Sequence, residues 1–296
     1  MFQEGVRRYD YRNTIVKLQN ERQRNSARPA VHAARAQVRC RAPARPWRGD
    51  EFLSAAARHL RPSFGRTRAS LFRHQHARPR RFVINTRGHD WINRAGDLTD
   101  FCGATYEKFE DSAQDFDGAL DCLSQQGYKR FILVGHSLGC IKSLLYQGTR
   151  RRQDVIGVIS CSCPKQFYSA RAAEQPEFKA IMEQAESMVA AGKGKEFLWA
   201  RASGAMAIFS AETFVNKYGK HENNDVRPHA GRLGCPHLAI AGGAEHPFFP
   251  EYAQELAQAG GASASYKIVP GSDHFYHDHE AEVIEILADW LKQFKS

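Results

Sequence analysis

The chain has 296 residues, 42% of them hydrophobic, enough for one large domain carrying an insertion or for two ordinary ones. No run of about 18 apolar residues occurs, so a membrane-spanning helix is not expected, and the opening MFQEGVRRYDYRN lacks the apolar core of a secretory signal. The net charge of +10 is local: residues 22–81 carry 16 Arg, no Lys and two acids, so the rest of the chain is mildly acidic at −4. Seven cysteines, an odd number without a paired framework, point to a reducing compartment and a cytoplasmic protein.

Residues 9–19 suit an opening strand. From 21 to 81 the pattern is lost. SARPAVHAARAQVRCRAPARPWRGD is rich in Arg, Ala and Pro and has no sustained period of two; only 51–60 suggests a short helix. Order returns at Phe82. FVINT (82–86) reads as a buried strand followed by an RGHD loop. Residues 107–126 read as a helix, because Phe109, Ala113, Phe116, Leu120 and Leu123 recur at spacings of three or four, and Gly127 ends it.

A buried strand is expected at 130–135, a helix at 138–147 and another buried strand at 155–162. The stretch 165–232 breaks this alternation and is expected to be a helical cap inserted after the strand at 155–162. Strand 235–243, helix 250–259, strand 265–271 and a long amphipathic helix 279–294 follow. Strands alternating with helices imply a mostly parallel sheet wound in βαβ units, with chemistry at the carboxyl ends of its strands. The core is therefore expected in 82–164 and 233–296. Met182, Met188, Trp199, Met206, Phe209 and Phe214 make the cap apolar enough either to roof an acyl pocket or to form its own core.

The strongest motif is Gly135-His136-Ser137-Leu138-Gly139, placed between an apolar strand and a helix. A serine on that sharp turn stands exposed at a helix N-terminus, and the backbone N–H of Leu138 can stabilise an oxyanion there. A serine hydroxyl needs a base. His274, in Gly271-Ser272-Asp273-His274-Phe275 between the last strand and the last helix, can supply it. The acid should follow the preceding strand, where Gly243-Ala244-Glu245-His246-Pro247 offers Glu245; Asp273 suits a loop-shaping role. His274, His277, Asp278 and His279 lack the spacing of a zinc helix, so no metal is expected. Cys161 and Cys163 read as buried core thiols.

GHSLG, GGAEHP and GSDHF, in this order and on these elements, resemble the α/β-hydrolase superfamily. The NTRGHD loop, with its following helix and the Gly-Tyr-Lys-Arg before the elbow strand, is similar to the serine esterase and acyl-peptidase-like branch. The resemblance covers about residues 82–296. It implies an eight-stranded sheet, a triad of Ser137, Glu245 and His274, no cofactor, and hydrolysis of an ester, thioester or amide of a small-molecule acyl substrate through an acyl-enzyme. A member of the family takes its second oxyanion donor from a loop that should precede FVINT, often marked His-Gly. No such pair occurs in 21–81.

That segment is about as long as the missing strands, helix and loop. Its bias toward Arg, Ala and Pro is that of an out-of-frame reading of a GC-rich gene, or of a disordered tail. If the other two frames show neither apolar strands nor an oxyanion loop, the frame explanation is wrong. An Arg-rich arm could also bind nucleic acid, but the absence of Lys and of spaced aromatics argues against it. A hydrolase-fold protein that has lost its oxyanion loop and only binds a ligand is the remaining alternative.

Overall fold

The computed structural model describes residues 12–19, 68–75, 105–202 and 205–294. Four parallel strands form its centre: β3 (Phe131–His136), β4 (Val155–Cys161), β7 (His237–Gly242) and β8 (Ala264–Val269), side by side in that order. β1 (Arg12–Gln19) lies antiparallel along the free side of β3, and β2 (Arg68–Gln75) pairs antiparallel with β1. The described sheet thus has six strands, where the family resemblance implies eight. β2 falls in the segment expected to be irregular. Its register, from Arg12 opposite Gln75 to Gln19 opposite Arg68, is set by a partner strand far away in the chain, which local periodicity does not see. FVINT, the RGHD loop and the helix expected at 51–60 lie outside the described residues.

β3, β4 and β7 are buried and mostly apolar because helices cover both faces. Phe131 and Leu133 of β3 point to one side, with Ala239 and Ala241 of β7. They meet Phe116, Leu120 and Leu123 of α1 (Ser112–Gln125), Ile141 and Leu144 of α2 (Leu138–Arg150), and Tyr252 and Leu256 of α7 (Phe248–Gly260). Ile132, Val134, Leu238 and Ile240 point the other way, onto Val283, Leu287 and Leu291 of α8 (Glu280–Leu291). Residues 107–111, expected in the first helix, are not helical, and 109–111 form a turn. The Asp111 carboxylate accepts the Lys108 N–H at 2.8 Å, so the helix begins only at Ser112. Among the described strands β8 is an edge, and Lys267 stands exposed on it, as befits a strand border.

His237 sits fully buried on β7, with Nε2 2.8 Å from Ser160 Oγ. Burial lowers its pKa to about 4. Between that value and the ordinary 6.5 the unfolded chain binds a proton that the fold excludes, so stability falls as the pH drops through this window. Urea unfolding at pH 7 and pH 4 is expected to differ by about 3 kcal/mol from this group. A Ser160- and His237-free variant (Ser160→Ala with His237→Leu) should show a correspondingly flatter profile.

The stretch after β4 is not purely helical. It carries α3 (Tyr168–Glu174), α4 (Pro176–Ala190), α5 (Ala211–Tyr218) and the single turn α6 (Arg227–Ala230), but also an antiparallel hairpin of β5 (Phe197–Ala202) and β6 (Ala205–Ser210). The period of two in FLWARA explains it: Leu198 and Ala200 are buried, while Phe197 and Trp199 are exposed. Met182, Phe209 and Phe214 form a core private to this region, with Met188 packed at its margin. Trp199 belongs to no core, with 57% of its surface exposed.

Glu107 ties this region to the main domain. Its carboxylate receives Lys142 of α2 and, at 3.0 Å, Lys217 of α5, both nearly fully buried. Burial alone would raise the Glu107 pKa, but the two ammonium groups outweigh it and hold the carboxyl down to about 2. Glu107→Gln would leave two buried cations without their counter-charge. It is expected to cost about 3–5 kcal/mol in urea unfolding.

Cys140, Cys161, Cys163 and Cys235 are free thiols. Cys122 on α1, however, is disulfide-bonded to a partner outside the described residues. The scattered cysteines show no paired framework in the sequence, because spacing alone cannot reveal a bond made by long-range folding. No described helix is long and apolar enough to cross a membrane.

Candidate active site

Ser137 stands between β3 and α2 with φ 54° and ψ −126°, a backbone conformation that a residue with a side chain adopts only under constraint. The constraint is visible. The Ser137 N–H donates to the Cys161 carbonyl at the end of β4 (2.9 Å), and its own carbonyl accepts from the Cys140 N–H (2.9 Å). Gly135 allows the turn, because a Cβ there would lie 2.4 Å from the Gly139 carbonyl oxygen. Leu138 opens α2, where the first backbone N–H groups have no partner within the helix and the dipole favours negative charge.

His274 lies in the loop between β8 and α8, and Glu245 in the loop after β7. His274 Nδ1 is 2.6 Å from Glu245 Oε1. The Glu245 side chain is wholly buried and that of His274 about a quarter exposed. An ionised carboxylate only accepts, so Nδ1 carries the hydrogen and Nε2 is the basic nitrogen. Glu245 Oε2 accepts two further bonds, from the Gly242 N–H and from Ser162 Oγ, both at 2.7 Å. Gly242 is needed there, since a Cβ would meet the Ser272 carbonyl oxygen at 2.4 Å.

The neighbours in sequence do other things. His246 is exposed, and its Nδ1 accepts the Phe248 N–H at 3.4 Å. Asp273 accepts from the Phe275 and His277 N–H groups and pairs with His277 Nδ1 at 2.7 Å, which closes the loop around His274. His279 pairs with Glu282. Among the described residues no cluster of three or more His, Cys, Asp or Glu could hold a metal ion.

His136 joins the elbow to the His274 loop. Its Nε2 is 2.8 Å from the His274 carbonyl oxygen, and the two rings lie 4.9 Å apart. Burial, then the nearby His274, lowers the His136 pKa to about 4. The ring is therefore neutral at pH 7, with its hydrogen on Nε2 to satisfy the carbonyl. Phe249 and Phe275 flank the His274 ring at 5.0 and 5.2 Å. The thiols nearby are inert: the single Cys140 S–H is shared between the Gly135 and Cys161 carbonyls, and burial pushes Cys161 up to about 12.

Sequence reasoning did not single out Ser162, Tyr276, Gly242 or the His136 side chain. Ser162 and Tyr276 carry a positive φ, which no local pattern announces.

The arrangement is a strained serine on a strand–helix turn, joined through His136 to the loop of a histidine that a buried carboxylate holds, in the chain order serine, acid, histidine. The sequence profile of the alpha/beta hydrolase family matches residues 31–286. The chain belongs to the alpha/beta hydrolase family. The match extends through much of the Arg-rich segment, beyond the 82–296 span on which the motifs lie. Among solved structures, this hydrolase is similar to a monoacylglycerol lipase of Paleococcus ferrophilus, with 16% identity and a TM-score of 0.54 over 82% of this chain and 88% of the other. An esterase domain from a Rhodothermus marinus protein gives 20% identity and a TM-score of 0.41 over 66% and 72%. A soluble variant of a Saccharomyces cerevisiae monoglyceride lipase gives 13% and 0.47 over 62% and 68%. At such identities the lipase of Paleococcus ferrophilus speaks for the fold alone. No curated protein matches the sequence.

Proposed function

We propose that this hydrolase cleaves a carboxylic ester, thioester or amide of a small acyl substrate through an acyl-enzyme on Ser137. The observation that carries the reading is the 2.6 Å bond between His274 Nδ1 and the buried Glu245, in loops that follow β7 and β8 of the parallel sheet whose β3 leads into the strained Ser137. His274 Nε2 takes the Ser137 proton as Oγ attacks the carbonyl carbon. The carbonyl oxygen becomes an oxyanion, which the Leu138 N–H and the N-terminal end of α2 stabilise. As the tetrahedral intermediate collapses, His274 returns the proton to the leaving alcohol, thiol or amine. Water then repeats the sequence on the acyl-enzyme. Glu245 stays ionised throughout and stabilises the imidazolium. The chemistry asks for no metal or cofactor.

The test is hydrolysis of p-nitrophenyl acetate and butyrate by the purified protein, with labelling by a fluorophosphonate and mass spectrometry of the labelled peptide. Turnover with the label on Ser137 is the expected result. Folded protein with neither turnover nor label would instead indicate a hydrolase fold used for binding.

A further inference from the structure

We propose that Ser162 and Tyr276 are positioning residues, whose hydroxyls form a directed chain that fixes the Glu245 carboxylate for His274. The proposal rests on the reading of Ser137, His274 and Glu245 as a triad.

A count of hydrogens gives the direction. Glu245 only accepts, so the 2.7 Å bond from Ser162 Oγ consumes the one hydroxyl hydrogen of Ser162. Ser162 Oγ also lies 2.7 Å from Tyr276 Oη and must accept there. Tyr276 therefore donates to Ser162, and its longer 3.3 Å contact with the Ile240 carbonyl is the lesser one. The order is Tyr276 to Ser162 to Glu245, with His274 Nδ1 donating to the other carboxylate oxygen. All three supporting groups sit on different strand ends: Ser162 after β4, Glu245 after β7 and Tyr276 beyond β8.

Backbone conformation points the same way independently. Ser162 has φ 55° and Tyr276 φ 59°, and neither is glycine. Both are fully buried. Two non-glycine residues held in the left-handed region, with side chains that meet beside one carboxylate, are costly for the fold and are the kind of strain retained at functional sites. A glutamate makes the arrangement useful. It has one more rotatable bond than an aspartate, and the Ser162 and Gly242 donors remove that freedom.

Three variants test this: Ser162→Ala, Ser162→Gly and Tyr276→Phe. Each is expected to lower kcat on p-nitrophenyl butyrate by about 10- to 100-fold, the scale of an angstrom-sized misplacement, with KM nearly unchanged. Ser162→Gly separates positioning from mere stability. Glycine accepts φ 55° freely, so this variant should melt no lower than Ser162→Ala, yet should recover no activity. In the free protein, the downfield proton resonance of His274 Nδ1–H should move in the same variants. Wild-type kcat in all three, activity that follows melting temperature and returns in Ser162→Gly, or an unmoved resonance would overturn the proposal. An active, Ser137-labelled wild type with unaffected variants defeats this inference alone. A wild type that neither turns over nor labels defeats the triad reading and this one with it.

Discussion

Ser137→Ala is expected to reduce kcat on p-nitrophenyl butyrate by about 10⁴-fold or more, with an unchanged fold. Among the described residues the hydroxyl is the nucleophile that the turn presents, because the neighbouring Cys140 and Cys161 thiols are buried and held protonated. Removing Oγ leaves the backbone of the turn as it was. The Ser137 N–H keeps its bond to Cys161, and the φ of 54° is no harder for alanine than for serine. Circular dichroism and the melting temperature should therefore match the wild type while burst labelling by a fluorophosphonate disappears. A variant that hydrolyses at the wild-type rate would show that the turnover belongs to another group or to a contaminant.

Glu245→Gln is expected to cost about 10⁴-fold in kcat with little change in KM, the size of effect associated with a wrongly held histidine tautomer. The glutamine amide can present an NH₂ where Glu245 Oε1 now accepts. His274 Nδ1 would then become the acceptor and Nε2 the protonated nitrogen, which cannot serve as a base. If the amide turns the other way, its NH₂ faces the Gly242 N–H and Ser162 hydroxyl, two groups that both donate to Glu245 Oε2 today. Ser162 could reorient; the Gly242 N–H could not. Both orientations are penalised, and the rate measurement reads their sum. Asp273→Asn is the control. Its carboxylate serves the His277 loop contacts, so its effect on kcat should be far smaller. Should Asp273→Asn cost the larger factor, the acid has been assigned to the wrong residue.

The two largest effects both concern residues that local motifs single out. GHSLG names Ser137 because an apolar strand, a glycine with no room for a Cβ and a helix must follow one another for the turn to exist. GSDHF names His274 by its place after the last strand. Glu245 was a weaker choice, since His246 stands beside it and a single loop does not show which side chain turns inward. The buried 2.6 Å contact shows it. The same division holds for the fold. The strands at 131–136, 155–161 and 237–242 and the helices around them follow from apolar runs and helical spacing. The hairpin at 197–210 does not, because its alternation lasts only six residues on each strand and sits among helical signals. β2 has no clean alternation of its own and takes its form from pairing with β1.

By itself, then, the sequence determined the class of this protein: periodicity is a local property, and so is the geometry of a strand–serine–helix turn. Composition likewise set the Arg-rich segment apart from the acidic remainder. Only the tertiary structure decided which carboxylate holds His274, that His136 is a neutral donor to the His274 loop, and that Ser162 and Tyr276 meet at Glu245. Those contacts join residues 29 to 138 positions apart in the chain. Parallel strands bring them together at one end of the sheet, and the register of one strand against the next is a property of the whole packed core that no short window contains.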